Sequence, residues 1–99
     1  MSSLHTLSSP QEAVQWLRSR VTGTLRTDSR QVQPGDGFIA WPGGVTDGRA
    51  YVASALARGA TACLVEGHGV ESFALTGAAV ASFSGLKAAT GDIADLWFA

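Results

Sequence analysis

Residues 38–66 read FIAWPGGVTDGRAYVASALARGATACLVE, and this stretch decides the fold class. Phe38–Trp41 is a short apolar run suited to a buried strand, and Pro42-Gly43-Gly44 opens a loop after it. Asp47 is a helix-capping residue type. Tyr51, Val52, Ala55 and Leu56 then recur at helical spacing, which predicts a helix over about 48–58 with those side chains inward. Gly59 suits the stop that follows such a helix. The segment 61–66 is apolar from Ala62 to Val65, as expected of a central strand covered on both faces. Strand, helix and strand in that order are the unit of a parallel sheet.

Working outward, Ser9-Pro10-Gln11-Glu12 is a helix start. Ser9 can cap, Pro10 fits the first turn, and Glu12 completes a capping box. Ala13, Val14, Trp16 and Leu17 would be the buried face, and Arg18 and Arg20 suit the C-terminal end. Val21 to Thr27 alternates Leu and Val with Thr and reads as a strand, and Gln33-Pro34-Gly35-Asp36 reads as a turn. Beyond residue 66, Gly67-His68-Gly69 breaks the chain. Ala78–Phe83 reads as a further strand, and Leu86–Phe98 as a helix with Leu86, Ala89, Ile93, Leu96 and Trp97 on one side. The expectation is one small α/β domain over residues 1–99, with a mixed, partly parallel sheet flanked by about three helices. Trp97-Phe98-Ala99 places two large aromatics at the end of the chain, as at a cut domain boundary.

Composition narrows the partners. A net charge of -1 gives no general attraction to nucleic acid or to an anionic membrane. Lys87 is the one lysine, and the other cations are all arginine, the better residue for planar recognition of phosphate. A single cysteine, Cys63, forms no internal disulfide, and its apolar neighbours predict a buried hydrophobe. The opening MSSLHTLSSP has no basic start followed by an apolar stretch, and no segment is apolar for long enough to span a bilayer. A cytoplasmic protein is expected.

Several chemistries lack their motifs. The sequence holds no G-x-x-x-x-G-K-[ST] phosphate loop, no G-x-G-x-x-G and no G-x-S-x-G elbow. His5 and His68 are far apart and have no cysteine or acidic partners at ligand spacing, so no metal residue is expected. No catalytic residue is expected either.

Two polar clusters flank the strand 38–41: Thr27-Asp28-Ser29-Arg30 and Thr46-Asp47-Gly48-Arg49. Each offers hydroxyl, carboxylate and guanidinium groups, which suits a ligand carrying phosphate or sugar. Each also has a plainer reading. Asp28 and Arg30 can pair with each other or cap a turn, Asp47 can cap a helix, and Trp41 can be core. Arg49, in the first turn of the predicted helix, opposes the dipole there, which hints at a bond to a carboxylate or phosphate.

The run of Asp28, Ser29, Arg30, Val32, Pro34, Gly35, Asp36, Phe38, Ile39 and Ala40, then Pro42, Gly43, Asp47, Gly48, Arg49 and Tyr51, resembles the N-terminal domain of the Mur ligases. These are the ATP-dependent amino-acid ligases of peptidoglycan synthesis. Asp-Gly-Arg before an aromatic resembles the MurE type more than the MurF type, which remains an alternative. The likeness continues through Ala53–Ala60 and Ala62–Glu66. It implies a domain that holds the uridine end of UDP-N-acetylmuramoyl-L-alanyl-D-glutamate and works with the remaining domains of the same ligase. ATP and Mg2+ would bind outside this domain, which needs no cofactor of its own and would be inactive in isolation. By position, the resemblance places Thr27 and Ser29 on one side of the nucleotide and Gly44, Val45 and Thr46 on the other, with Asp28, Arg30, Asp47 and Arg49 in support. The family pattern often has histidine where this chain has Gly44, and leucine where it has Gly37. A second reading also stands: a free-standing α/β interaction module whose polar clusters are turn and cap chemistry.

Overall fold

The structure is a computed structural model that describes residues 4–42, 47–73, 75 and 77–98. Its centre is the strand Ala62–Glu66, buried at every position. Counting along the chain, the strands are β1 (His5–Leu7), β2 (Leu25–Arg26), β3 (Gly37–Ala40), β4 (Ala62–Glu66) and β5 (Val80–Phe83), in the sheet order β1-β5-β4-β3-β2. Every pairing is parallel, so the sheet expected to be mixed is parallel throughout. Three helices, α1 (Pro10–Arg18), α2 (Val52–Ala57) and α3 (Leu86–Trp97), cover its faces.

Alternation along the strands divides the core. Ile39, Ala62, Leu64, Ala81 and Phe83 face α1 and α3, where they meet Ala13, Val14, Leu17, Leu86 and Ile93. Phe38, Ala40, Cys63, Val65 and Val80 face the other way, toward Val52 and Ala55 of α2. This period of two, buried on both sides, is why β4 reads as an unbroken apolar run. Cys63 is fully buried, and burial pushes its thiol up to about 12.

Helix starts and stops follow local chemistry. Ser9 Oγ accepts the Glu12 amide at 3.1 Å, while the Glu12 carboxylate reaches back to the Ser8 amide at 3.0 Å, one residue before the cap. Trp16 is only partly buried. At the far end of α1, Arg18 turns outward and donates to the carbonyls of Leu96 and Trp97, which ties α1 to the last turn of α3.

Three elements differ from their sequence reading. The predicted strand 21–27 shrinks to Leu25–Arg26. Thr22 and Gly23 instead donate to the Gly35 carbonyl, and the buried Asp36 carboxylate takes the Thr24 and Gln33 amides and Arg26 Nε. Gly23 permits this, because a Cβ there would collide with Asp36 Oδ1. The predicted helix 48–58 begins as a 3-10 turn, Gly48–Tyr51, and becomes α-helical only at Val52. Tyr51 and Leu56, expected inward, are exposed. Strand β1 had no sequence signal beyond a three-residue alternation. It pairs along β5 through His5, Thr6 and Leu7.

Candidate functional site

Strand β2 is short, and the consequence is a cleft. Leu25 pairs with Gly37 and Arg26 with Phe38, and there the described ladder stops while β3 runs on to Ala40. The chain after β2 turns away through Thr27 and Asp28 into a 3-10 turn, Ser29–Gln31, that packs against α2. Between them opens a cleft of about 640 Å3. One wall is Thr27, Asp28, Ser29 and Arg30. The floor is Phe38, Ile39 and Trp41. The other wall is Gly48, Tyr51, Ser54 and Arg58, along the 3-10 turn Gly48–Tyr51 and α2 after it. Thr27 follows the carboxyl end of β2 and Trp41 that of β3.

The Asp28 wall is internally braced. Asp28 Oδ1 accepts the Arg30 amide at 2.9 Å and Arg30 Nε at 3.1 Å, and Oδ2 accepts Nη2 at 2.9 Å. These bonds to Arg30, chiefly from its side chain, hold the Asp28 carboxyl down to about 2, with Arg58 adding a weaker pull. Asp28 is therefore ionised at neutral pH. The same partnership raises the Arg30 guanidinium.

The second polar cluster builds the same clasp with a different fate. Asp47 Oδ1 accepts the Arg49 amide at 2.9 Å and Nε at 3.1 Å, and Oδ2 accepts Nη2 at 2.9 Å. Hydrogen bonds from Arg49, set against partial burial, lower the Asp47 carboxyl. Here the guanidinium is buried. Its Nη1 donates to the carbonyls of Glu66, at 2.8 Å, and His68, and its Cζ lies 4.7 Å from the Phe73 ring centroid. Arg49 thus locks the turn after β4. The carboxylate partner expected for it is present, and neither Arg49 nor Asp47 is among the residues lining the cleft.

Of the residues singled out in sequence, the structure brings Thr27, Asp28, Ser29 and Arg30 to one wall, and Trp41 to the floor. Gly44, Val45 and Thr46 lie outside the described residues. Tyr51, Ser54 and Arg58 line the cleft without having been singled out for it. Their signal was faint but present: positions 51, 54 and 58 are spaced by three and four, one stripe of a helix beside its buried face.

Glu66 was missed as well. Burial alone would raise its carboxyl, but the amides of His68, Gly85 and Leu86 donate to it and hold it below the usual range. It caps the start of α3, whose own N-cap residue, Gly85, has no side chain to do so. Among the described residues no three His, Cys, Asp or Glu side chains gather as a metal site, and no buried side-chain polar atom lacks a partner. No described helix is long and apolar enough to cross a membrane.

Comparison with known proteins gives a consistent result. The model of the Mur ligase family, catalytic domain, matches residues 23–91. A UDP-N-acetylmuramoyl-L-alanyl-D-glutamate–2,6-diaminopimelate ligase of Acidovorax sp. (strain JS42) is 69% identical over 98 residues, 99% of this chain and 20% of that protein. The ligase of the same name from Pseudomonas putida is 45% identical over 74 residues, 75% of this chain and 15% of its own length. That of Janthinobacterium sp. (strain Marseille) is 35% identical over 98 residues, 98% of this chain and 19% of its own. The chain therefore spans about a fifth of the length of the relatives it matches along its whole length.

Proposed function

The chain belongs to the Mur ligase family, and from that premise we propose that it is the N-terminal domain of a MurE-type ligase, holding the uridine nucleotide end of UDP-N-acetylmuramoyl-L-alanyl-D-glutamate. The observation that carries this reading is the cleft between the Thr27–Arg30 turn and α2. In open parallel sheets, ligands bind outside the carboxyl ends of the strands, and this cleft lies against those ends of β2 and β3. Its floor includes the aromatic residues Phe38 and Trp41, and its walls include the hydroxyl-bearing Thr27, Ser29, Ser54 and Tyr51. A pyrimidine base with a ribose needs that combination: apolar contact with the ring, and hydrogen bonds at its edge.

The complete ligase would join 2,6-diaminopimelate, the amino acid in its relatives' names, to the muramoyl dipeptide in the cytoplasm during cell-wall synthesis, using ATP and Mg2+. The residues present here do not fit those two cofactors. The sequence has no phosphate loop, and the described residues gather no acidic cluster. Although the family model is described as a catalytic domain, we assign this segment the role of binding. Gripping the nucleotide handle supplies binding energy remote from the reacting carboxylate, and that energy positions it.

Titrating the isotope-labelled chain with UMP and with AMP tests the reading. UMP is expected to move the amides of residues 27–30 and 51–58 selectively, with affinity in about the micromolar-to-millimolar range because the other domains' contacts are missing. Equal shifts from both nucleotides, or none, would count against a uridine pocket.

A further inference from the structure

We infer that Arg58 is the residue in this cleft that selects a phosphorylated ligand, giving the cleft a preference for uridine diphosphate over bare uridine. The inference rests on the uridine-nucleotide reading above and adds to it a charge-reading side chain. Two guanidiniums and one carboxylate line the cleft: Arg30, Arg58 and Asp28. Arg30 is committed. Its Nε and Nη2 are bound to Asp28, so that pair presents no net charge to a ligand. Arg58 is not committed. Among the described residues its side chain makes no hydrogen bond and no ion pair, although its charge is felt at Asp28.

The cleft thus carries one uncompensated positive charge, on a side chain whose backbone is anchored. Arg58 is the C-cap of α2, where its amide bonds to the carbonyls of Ser54 and Ala55, so the stem of the side chain starts from a rigid point. Asp28 contributes by holding Arg30: its carboxylate cancels that charge and leaves Arg58 as the uncompensated cation of the cleft. A guanidinium is suited to this work because its planar donors match phosphate oxygens and its charge is permanent. Selection therefore rests on the Arg58 charge, with Asp28 keeping the Arg30 charge out of play.

Binding of uridine and of UDP to the chain and to two variants, measured by calorimetry or amide shifts, tests this. The wild-type chain is expected to bind UDP about tenfold more tightly than uridine at low salt, the scale of one charge-assisted contact, with the gap closing as salt rises. Arg58→Gln is expected to remove that gap, so that the ratio of UDP to uridine affinity falls to about one. Asp28→Asn retains an oxygen to accept the Arg30 amide but releases the Arg30 charge, and it is expected to widen the gap. If uridine binds and the ratio of UDP to uridine affinity survives Arg58→Gln, the role of Arg58 is overturned while the uridine pocket stands. If neither ligand binds the wild-type chain, the pocket itself is overturned and the role of Arg58 falls with it.

Discussion

The Glu66 carboxylate at the end of β4 accepts the Leu86 amide at 3.0 Å, across 20 positions of sequence. With the Gly85 amide at 3.1 Å, this makes a residue on the central strand the N-terminal cap of α3. A cap supplied from another element does more than satisfy the amides. It fixes where the last helix begins relative to the sheet.

Removing it should be costly. Glu66→Ala leaves three amides without their acceptor and is expected to destabilise the fold by about 2–3 kcal/mol in chemical denaturation, since buried donors that lose a charged partner retain their desolvation cost. The pH dependence follows from the lowered carboxyl. Its contribution is complete above the unfolded pKa of about 4.3 and is lost as pH falls through the lower folded value. Glu66→Gln should flatten that acid limb of the stability profile.

The two aspartate–arginine clasps separate stability from surface chemistry. Arg49→Lys loses the fork that reaches Asp47, Glu66 and His68 at once, and a loss of about 2–3 kcal/mol is expected on thermal or chemical unfolding. The Arg30 side chain is 84% exposed, against 6% for Arg49. Arg30→Ala should leave the melting midpoint in place while the Asp28 titration, followed by NMR, moves up from about 2 toward the ordinary carboxylate range.

Gly23→Ala should destabilise by about 1–3 kcal/mol, because the new methyl must displace the buried Asp36 carboxylate from its bonds. A loss of that size in a denaturant titration, with Thr22→Ala as the neighbouring control, checks it.

Ser29→Ala is expected to weaken uridine-nucleotide binding by about one hydrogen bond, 0.5–1.5 kcal/mol, with no change in melting temperature. Gly44→Leu and Gly44→His should move affinity in opposite directions, the first blocking backbone approach and the second adding a side chain the family often has there. Unchanged affinity in all three variants would put the pocket on other loops.

The purified 99-residue chain should hydrolyse no ATP, with or without magnesium, because no phosphate loop occurs in its sequence. Phosphate release above background in a coupled assay would contradict this.

Much of the fold was legible because its signals are local. The caps at Ser9 and Asp47, the stop at Gly59 and the apolar run in β4 each depend on residues a few positions apart. The strand read over 21–27 failed for a non-local reason: Asp36 captures the Thr24 amide, and Gly35 takes Thr22 and Gly23. Alternating Thr and Leu carries no trace of that competitor. The helix read from Gly48 departs from its reading only in its first turn, which is 3-10 where Asp47 and Arg49 clasp, and Tyr51 at its end is exposed. In the candidate site, the Asp28–Arg30 pair was readable from its spacing. Arg58 carried only a faint signal in its helical spacing and Glu66 none, because what matters about them is the partner from another element, absent for one and gained by the other.

The brevity of β2 has a consequence for how the chain behaves in company. A sheet edge with free amides and carbonyls is a template on which a neighbouring molecule can add a strand, and short edge strands offer little to copy. Here the two edges are two and three residues long, β2 and β1. The early departure of the chain after Arg26, which opens the cleft, also denies other molecules a ladder to extend.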